Sequence, residues 1–163
     1  MDALDPLDLD VVIRNLTAAD LDAVIMLDAK NVGRRREEFF KLKLKQALSD
    51  TGITVSLAAE MKGSFVGFLL ARVFYGEFGV TERVAVMDVI DVHPAFRGQH
   101  VATALLGQLR TNLEGLGIGV LRTEVGWENT ELLGFFRREG FVMAQPTSVL
   151  NTLMPSPSRL VRS

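Results

Sequence analysis

The chain has 163 residues, 48% of them hydrophobic and 23% charged, with a formal net charge of −2 at pH 7. That is the balance of one soluble globular domain, without the strongly basic character of a nucleic-acid binder. It contains no cysteine and two histidines, which excludes disulfides and thiolate metal centres and argues against a dedicated zinc site.

The start, Met1-Asp2-Ala3-Leu4-Asp5-Pro6, is acidic. It lacks the basic opening and apolar stretch of a signal peptide. No apolar run reaches the roughly 18 residues that a membrane span needs. The expectation is a cytoplasmic protein with no nucleic-acid or membrane partner. Residues 11–154 read as a single domain, between a flexible N-terminus (1–10) and a flexible Pro/Ser tail (155–163).

Residues 11–16 read as a short strand. Thr17-Ala18-Ala19-Asp20 has the spacing of a capping box, and Leu21, Val24 and Ile25 give the helix after it one apolar face. A second helix is predicted over 35–48, with Phe40, Leu44 and Leu48 four apart and Thr51-Gly52 as its stop. Two strands, 53–60 and 65–74, join at Met61-Lys62-Gly63-Ser64 as a hairpin. A Gly-containing loop leads to a long apolar strand, 84–92.

After that strand comes Val92-His93-Pro94-Ala95-Phe96-Arg97-Gly98-Gln99-His100-Val101-Ala102. A proline turn, a basic residue and a glycine precede an amphipathic helix carrying Val101, Leu105, Leu106, Leu109 and Leu113. The first turn of a helix offers N–H groups with no internal partner, and its dipole favours anions. Gly98 lets a ligand approach the backbone. The pattern can hold a pyrophosphate at the end of a strand, although a strand, turn and helix of this kind is common in α/β proteins.

Gly115 and Gly117 read as the stop of that helix. Gly115-Leu116-Gly117-Ile118-Gly119 is not a dinucleotide fingerprint, because it follows a helix and precedes a strand. A strand is predicted over 120–125, a helix over 130–139 ending at Gly140, and strands over 141–143 and 149–153. The order β-α-α-β-β-β-α-β-α-β-β is that of a mixed sheet with helices packed on it.

Two motifs stand together: His93-Pro94-x-x-Arg97-Gly98-x-x-Val101-Ala102, and Asn129-x-x-Leu132-x-x-Phe135-Phe136-x-x-x-Gly140-Phe141. With the strand order, they resemble the GNAT N-acetyltransferase superfamily, distantly its bacterial ribosomal-protein N-terminal acetyltransferases. The resemblance implies an α/β (α+β) GNAT fold: a mixed, mostly antiparallel sheet of six to seven strands, splayed between the fourth and fifth and flanked by about four helices. It implies acetyl-CoA as cosubstrate, an amine acceptor and no metal. Arg97, Gly98, Gln99, His100, Val101, Ala102 and Thr103 would cradle the pyrophosphate. Backbone at Ile90, Asp91 and Val92 would meet pantetheine as an added strand does, and N–H near Val92 would stabilise charge on the thioester carbonyl. Asn129 would position the pantetheine arm, cap its helix, or both.

Two departures from the family pattern stand out. His100 replaces a usual glycine, and its side chain would lie over the phosphates, crowd them, donate to one or simply be exposed. Phe136 stands where many members place a Tyr as general acid, and would instead pack against the thioester side of the cofactor cleft.

Three carboxylates are candidates to deprotonate the amine. Glu124 matches the position of a catalytic Glu in the ribosomal-protein acetyltransferases. Asp88 and Asp91 lie in the apolar strand, on opposite faces by strict alternation unless a bulge intervenes. A salt bridge with one of the many Arg residues is the alternative for each. Trp127 reads as an acceptor-pocket wall or ordinary packing. Phe74, Tyr75 and Phe78 read as an acceptor lip, a homodimer contact or a loop anchor. Arg34-Arg35-Arg36 with Lys41, Lys43 and Lys45 reads as a solvated face, because Glu37 and Glu38 interleave; steering of an acidic substrate is the other reading. The function expected is acetyl transfer from acetyl-CoA to a primary amine; a non-catalytic acyl-CoA-binding module is the alternative.

Overall fold

The computed structural model describes residues 10–49, 53–74, 83–98 and 100–144. They belong to two compact units, residues 1–124 and 125–163. The first contains β1 (Val11–Asn15), α1 (Leu21–Val32), α2 (Glu37–Ser49), β2 (Leu57–Met61), β3 (Ser64–Phe74), β4 (Val84–Val92), α3 (Val101–Gly115) and β5 (Val120–Thr123). The five strands form one sheet in chain order.

Three antiparallel pairings join β1–β2, β2–β3 and β3–β4, the first between strands that α1 and α2 separate in the chain. Met61 pairs with Ser64 across the Lys62-Gly63 turn, so the expected hairpin forms. β4 and β5 run parallel, which requires a crossover, and α3 supplies it. Among the described residues no helix is long and apolar enough to cross a membrane.

One face of the sheet carries α1 and α2. Val24, Ile25 and Leu27 of α1 and Phe40 and Leu44 of α2 are buried in one cluster with Ala58, Phe68 and Leu70 of the sheet. The Phe40 ring meets the Phe68 ring edge-on at 5.8 Å. α1 begins at the expected capping box, where the Thr17 N–H donates to Asp20 Oδ2 at 2.8 Å. Arg14 of β1 grips the same Asp20 at 2.8 and 2.9 Å and reaches Glu60 of β2 at 2.6 Å. That pairing holds the Asp20 carboxyl below its usual range.

α3 buries Val101, Leu105, Leu106, Leu109 and Leu113 and packs at Gly67 of β3. A Cβ there would lie 3.0 Å from Val101 Cγ1, 3.3 Å from Leu105 Cδ1 and 3.1 Å from the Asp91 carbonyl. The missing side chain therefore fixes how close the start of α3 comes to the sheet. The helix closes with the Gly117 N–H on Glu114 O at 3.0 Å and the Ile118 N–H on Leu113 O at 2.9 Å. The glycine run is a helix stop, as its position after a helix predicts.

In the second unit, α4 (Thr130–Arg138) starts at Asn129, whose side chain accepts from the Leu132 N–H at 3.2 Å. Residues 141–143, expected as a strand, are not one. The Phe141 N–H bonds to Phe136 O at 3.0 Å, which spends that amide on closing the helix. The strand expected at 149–153 lies outside the described residues, so five strands are seen where six to seven were expected.

Gly67→Val forces β3 and α3 apart. It is expected to lower the stability of the domain by about 1–3 kcal/mol in urea unfolding; an unchanged midpoint would contradict this packing.

Candidate cofactor site and buried acid pair

β4 pairs with β5 along Val84↔Val120, Ala85↔Leu121, Val86↔Arg122 and Met87↔Thr123, and no further. Thr123 Oγ1 donates to the Met87 carbonyl at 3.0 Å at this fork. Past it, β4 runs on to Val92 with β3 alone as partner. His93 N–H donates to Val66 O at 2.8 Å. Antiparallel ladders alternate, so the backbone groups of Val92 and Ile90 turn away from β3 toward the open edge. This is the splay expected between the fourth and fifth strands.

The open edge leads into the phosphate-type turn. His93 Nδ1 accepts from the Ala95 N–H at 3.1 Å and caps the short turn Pro94–Phe96. Gly98 follows with φ +79°, and nothing lies within 4 Å of where a Cβ would stand. His100, exposed, adopts φ +63° and ψ +20°. This is the left-handed region in which a non-glycine residue costs roughly 1–2 kcal/mol, a physical reason for a glycine at this position. The first α3 bond runs from Ala104 N–H to His100 O at 2.9 Å. The amides of Val101, Ala102 and Thr103 thus precede the helix ladder. Open space at Gly98, two left-handed residues and first-turn amides together fit an anionic diphosphate. Gln99 lies outside the described residues.

The three candidate carboxylates have different surroundings. The register between β3 and β4 shifts where Leu70 opposes Val89 and Ala71 opposes Met87, leaving Asp88 as the extra residue of a bulge. Asp88 and Asp91 consequently share the α1/α2 face. Arg72 binds both oxygens of Asp88, at 2.7 and 3.1 Å, and Lys43 of α2 stands 3.8 Å away. Asp88 therefore has the ion-pair partner that sequence offered as its alternative. Glu124 is exposed and directly follows Thr123 at the fork.

Asp91 reaches toward α1. Asn31 Nδ2 lies 3.4 Å from its Oδ1 and donates to the Val92 carbonyl at 3.0 Å. Asp28 of α1 is fully buried and held by Arg36 at 2.7 and 2.8 Å. Burial pushes the Asp91 carboxyl up, the neighbouring Asp28 pushes it further, and it titrates at about 7. Burial opposes the charge of Asp28 as well, but Arg36, the contact with Asp91 and the charge of Arg34 together hold that carboxyl below its usual range.

Sequence reasoning read Arg36 as part of a solvated face and missed Asp28 and Asn31. Their signal was present: Leu21, Val24, Asp28 and Asn31 recur three and four apart, so two polar residues occupy the core stripe of α1. The basic patch is largely committed to partners in the chain: Arg36 to Asp28, Lys43 to Asp88, Arg35 to Glu37 and Lys41 to Glu38. In the second unit Phe136 is buried, its ring 5.3 Å from Phe135 and 4.9 Å from Phe141. Trp127 is 79% exposed, and Phe74 faces solvent in part under Arg72, whose guanidinium is 4.8 Å from the ring centroid. Tyr75 and Phe78 lie outside the described residues.

Residues 22–141 match the sequence profile of the acetyltransferase (GNAT) family. Solved structures share the fold at low identity. A transcriptional regulator from Bacillus halodurans C-125 superposes with a TM-score of 0.72 at 19% identity, over 83% of this chain and 95% of that one. An aminoglycoside N-acetyltransferase in complex with CoA gives 0.69 at 19%, over 84% and 91%. A ribosomal-protein-alanine N-acetyltransferase from Brucella melitensis biovar Abortus 2308 gives 0.68 at 20%, over 84% and 96%.

An unfolded aspartate titrates near 3.8 and folded Asp91 near 7. Between those values the folded chain binds the extra proton, so Asp91 makes stability fall as pH rises through this window and level off above it. Asp91→Asn is expected to remove that slope in urea unfolding across the pH series. Parallel stability profiles for the variant and the wild type would contradict the assignment.

Proposed function

Because the chain belongs to the acetyltransferase (GNAT) family, we propose that it moves an acetyl group from acetyl-CoA to a primary amine, by direct attack with both substrates bound. The observation that carries this reading is the open edge of β4 running straight into the left-handed turn and the start of α3. Bound acetyl-CoA supplies the thioester.

The chain's own groups then divide the work. The amides of Gly98, Gln99, His100, Val101, Ala102 and Thr103 bind the pyrophosphate, with Arg97 beside them. Backbone groups of Ile90 and Val92 take the pantetheine arm as an additional strand, with Asp91 between them. The Val92 N–H donates to the thioester carbonyl, where negative charge develops. Glu124, exposed beside the fork, takes the proton of the attacking amine directly or through a water. Asp88, the rival base, is engaged by Arg72. The assignments of Asn129 to the pantetheine arm and of Phe136 to the thioester side rest on the sequence resemblance.

Phe136 in place of Tyr removes a general acid, a contribution of about 10²–10⁴-fold. A thiol with a pKa of about 8.5 is a tolerable leaving group near neutral pH without one. The Glu124 match favours peptide or protein amines over small-molecule amines as acceptors. The reading involves no metal and places the protein in the cytoplasm. A second reading, a non-catalytic acyl-CoA-binding module, is motivated by Phe136 and His100, the two departures from the family pattern.

A thiol-release screen across peptides, polyamines and amino acids separates the two. Release with one amine class is expected, whereas thermal stabilisation by acetyl-CoA with no release on any amine would favour the binding module. Against the responding amine, Glu124→Gln is expected to lower turnover about 10²-fold or more near neutral pH with CoA affinity unchanged; undiminished turnover would remove Glu124 from the mechanism.

A further inference from the structure

Asn31 ties three elements together. It stands in the last turn of α1. Its Nδ2 donates to the Val92 carbonyl at 3.0 Å and lies 3.4 Å from Asp91 Oδ1. Its Oδ1 accepts from Arg97 Nη2 at 2.5 Å. The guanidinium expected to meet phosphate is therefore held back on α1. Three residues before Asn31, on the same helix face, is Asp28.

The other Asp91 oxygen, Oδ2, is buried with no hydrogen-bond partner among the described residues. Such an oxygen is costly as a charged acceptor. Asp28 is within hydrogen-bonding reach of Asp91, but two carboxylates cannot bond to each other. One proton on Asp91 removes the conflict: it satisfies Oδ2 and gives Asp28, already bound by Arg36, one more donor.

We propose that Asn31 is a positioning residue for the turn after β4, and that one proton shared by Asp28 and Asp91 sets whether Arg97 is held on α1 or released toward an anion. With the proton absent, the Asp91 charge polarises the Asn31 amide, and its oxygen holds Arg97 more strongly. With the proton present, Asn31 keeps the Val92 carbonyl and loses the charged acceptor, so its grip on Arg97 weakens. The titration of Asp91 near neutrality puts this change within an ordinary range of pH.

The charged groups facing the pair come from α1 (Asp28), from the segment after it (Arg34 and Arg36) and, through Asn31, from the turn (Arg97). The β3 neighbour of Asp91 is the apolar Phe68, and Lys43 of α2 is engaged by Asp88 on the same face. The inference rests on the proposed cofactor role of the turn only in its last step, where the anion is the diphosphate of CoA.

The coupling is testable in the protein without cofactor. With carbon-labelled aspartate and nitrogen-labelled arginine, NMR follows the Asp91 carboxyl and the Arg97 guanidinium through one pH titration. The Arg97 signal is expected to move with the midpoint of Asp91. In Asn31→Ala it is expected to stay flat while Asp91 still titrates, at a higher midpoint because the bond that favours its charged form is gone. A wild-type Arg97 signal indifferent to the Asp91 titration would overturn the proposal, and that measurement needs no variant to fold. Calorimetry with CoA then reads the last step. Affinity is expected to rise about fivefold from pH 8 to pH 6 beyond the change in Asp91→Asn; equal changes in the two proteins would overturn that step. Absence of CoA binding at either pH would instead overturn the cofactor reading, with the cofactor-free titration still deciding the coupling.

Discussion

Everything in the first unit that resembles a site depends on where β4 loses β5. Four residue pairs join the two strands, and the ladder ends at Met87↔Thr123. Five more residues of β4 then continue to Val92 with a strand partner on the β3 side alone, while Asn31 takes the Val92 carbonyl. An open strand edge inside a protein is a liability unless something occupies it. Here it leads directly into a turn whose amides also precede a helix ladder, so two backbone surfaces without ladder partners adjoin. A ligand with an amide-bearing arm and a diphosphate matches both. Gly67 keeps that junction compact, because any side chain there would push the start of α3 off the strand that carries Asp91.

The two faces of the sheet have different tasks. α3 packs on one face with aliphatic side chains and presents its first turn. α1 and α2 pack on the other with an aliphatic and aromatic core, but the end of that core near Val92 is polar. The bulge at Asp88 is the reason. It rotates the rest of β4 by one residue, so that Asp88 and Asp91 fall on the same face, the first beside Arg72 and Lys43 and the second beside Asp28 and Asn31. Buried charge of this kind adds little net stability. Its consequence is geometric: α1 is tied by hydrogen bonds to the Val92 carbonyl and to Arg97, the residues that border the open edge and the turn.

Much of this was legible in the chain. Helical spacing, apolar runs and turn residues located the four helices and the first five strands, because their buried faces are mostly aliphatic and aromatic. The capping box at Thr17 and the glycine stop after α3 were readable from local hydrogen-bonding chemistry. The turn at 93–98 is common in α/β proteins by itself and became readable only beside the Asn129–Phe141 motif and the strand order. The strand expected at 141–143 failed because three apolar residues carry no periodicity, and the Phe141 amide closes α4 instead. The acid pair was not legible. Asp28 and Asp91 are 63 residues apart, and only the bulge, a long-range register effect, brings them face to face. His100 was flagged by its residue type; its left-handed backbone is what connects it to the glycine usual at that place.

The measurement that reaches the central claim most directly is amide hydrogen exchange of the full chain with and without CoA. Protection is expected to rise at Ile90 and Val92 on the open edge and at Gly98 and the 100–103 segment, leaving the β1–β2 edge of the sheet unchanged. Tight binding that protects neither the outer half of β4 nor the first turn of α3 would contradict the account.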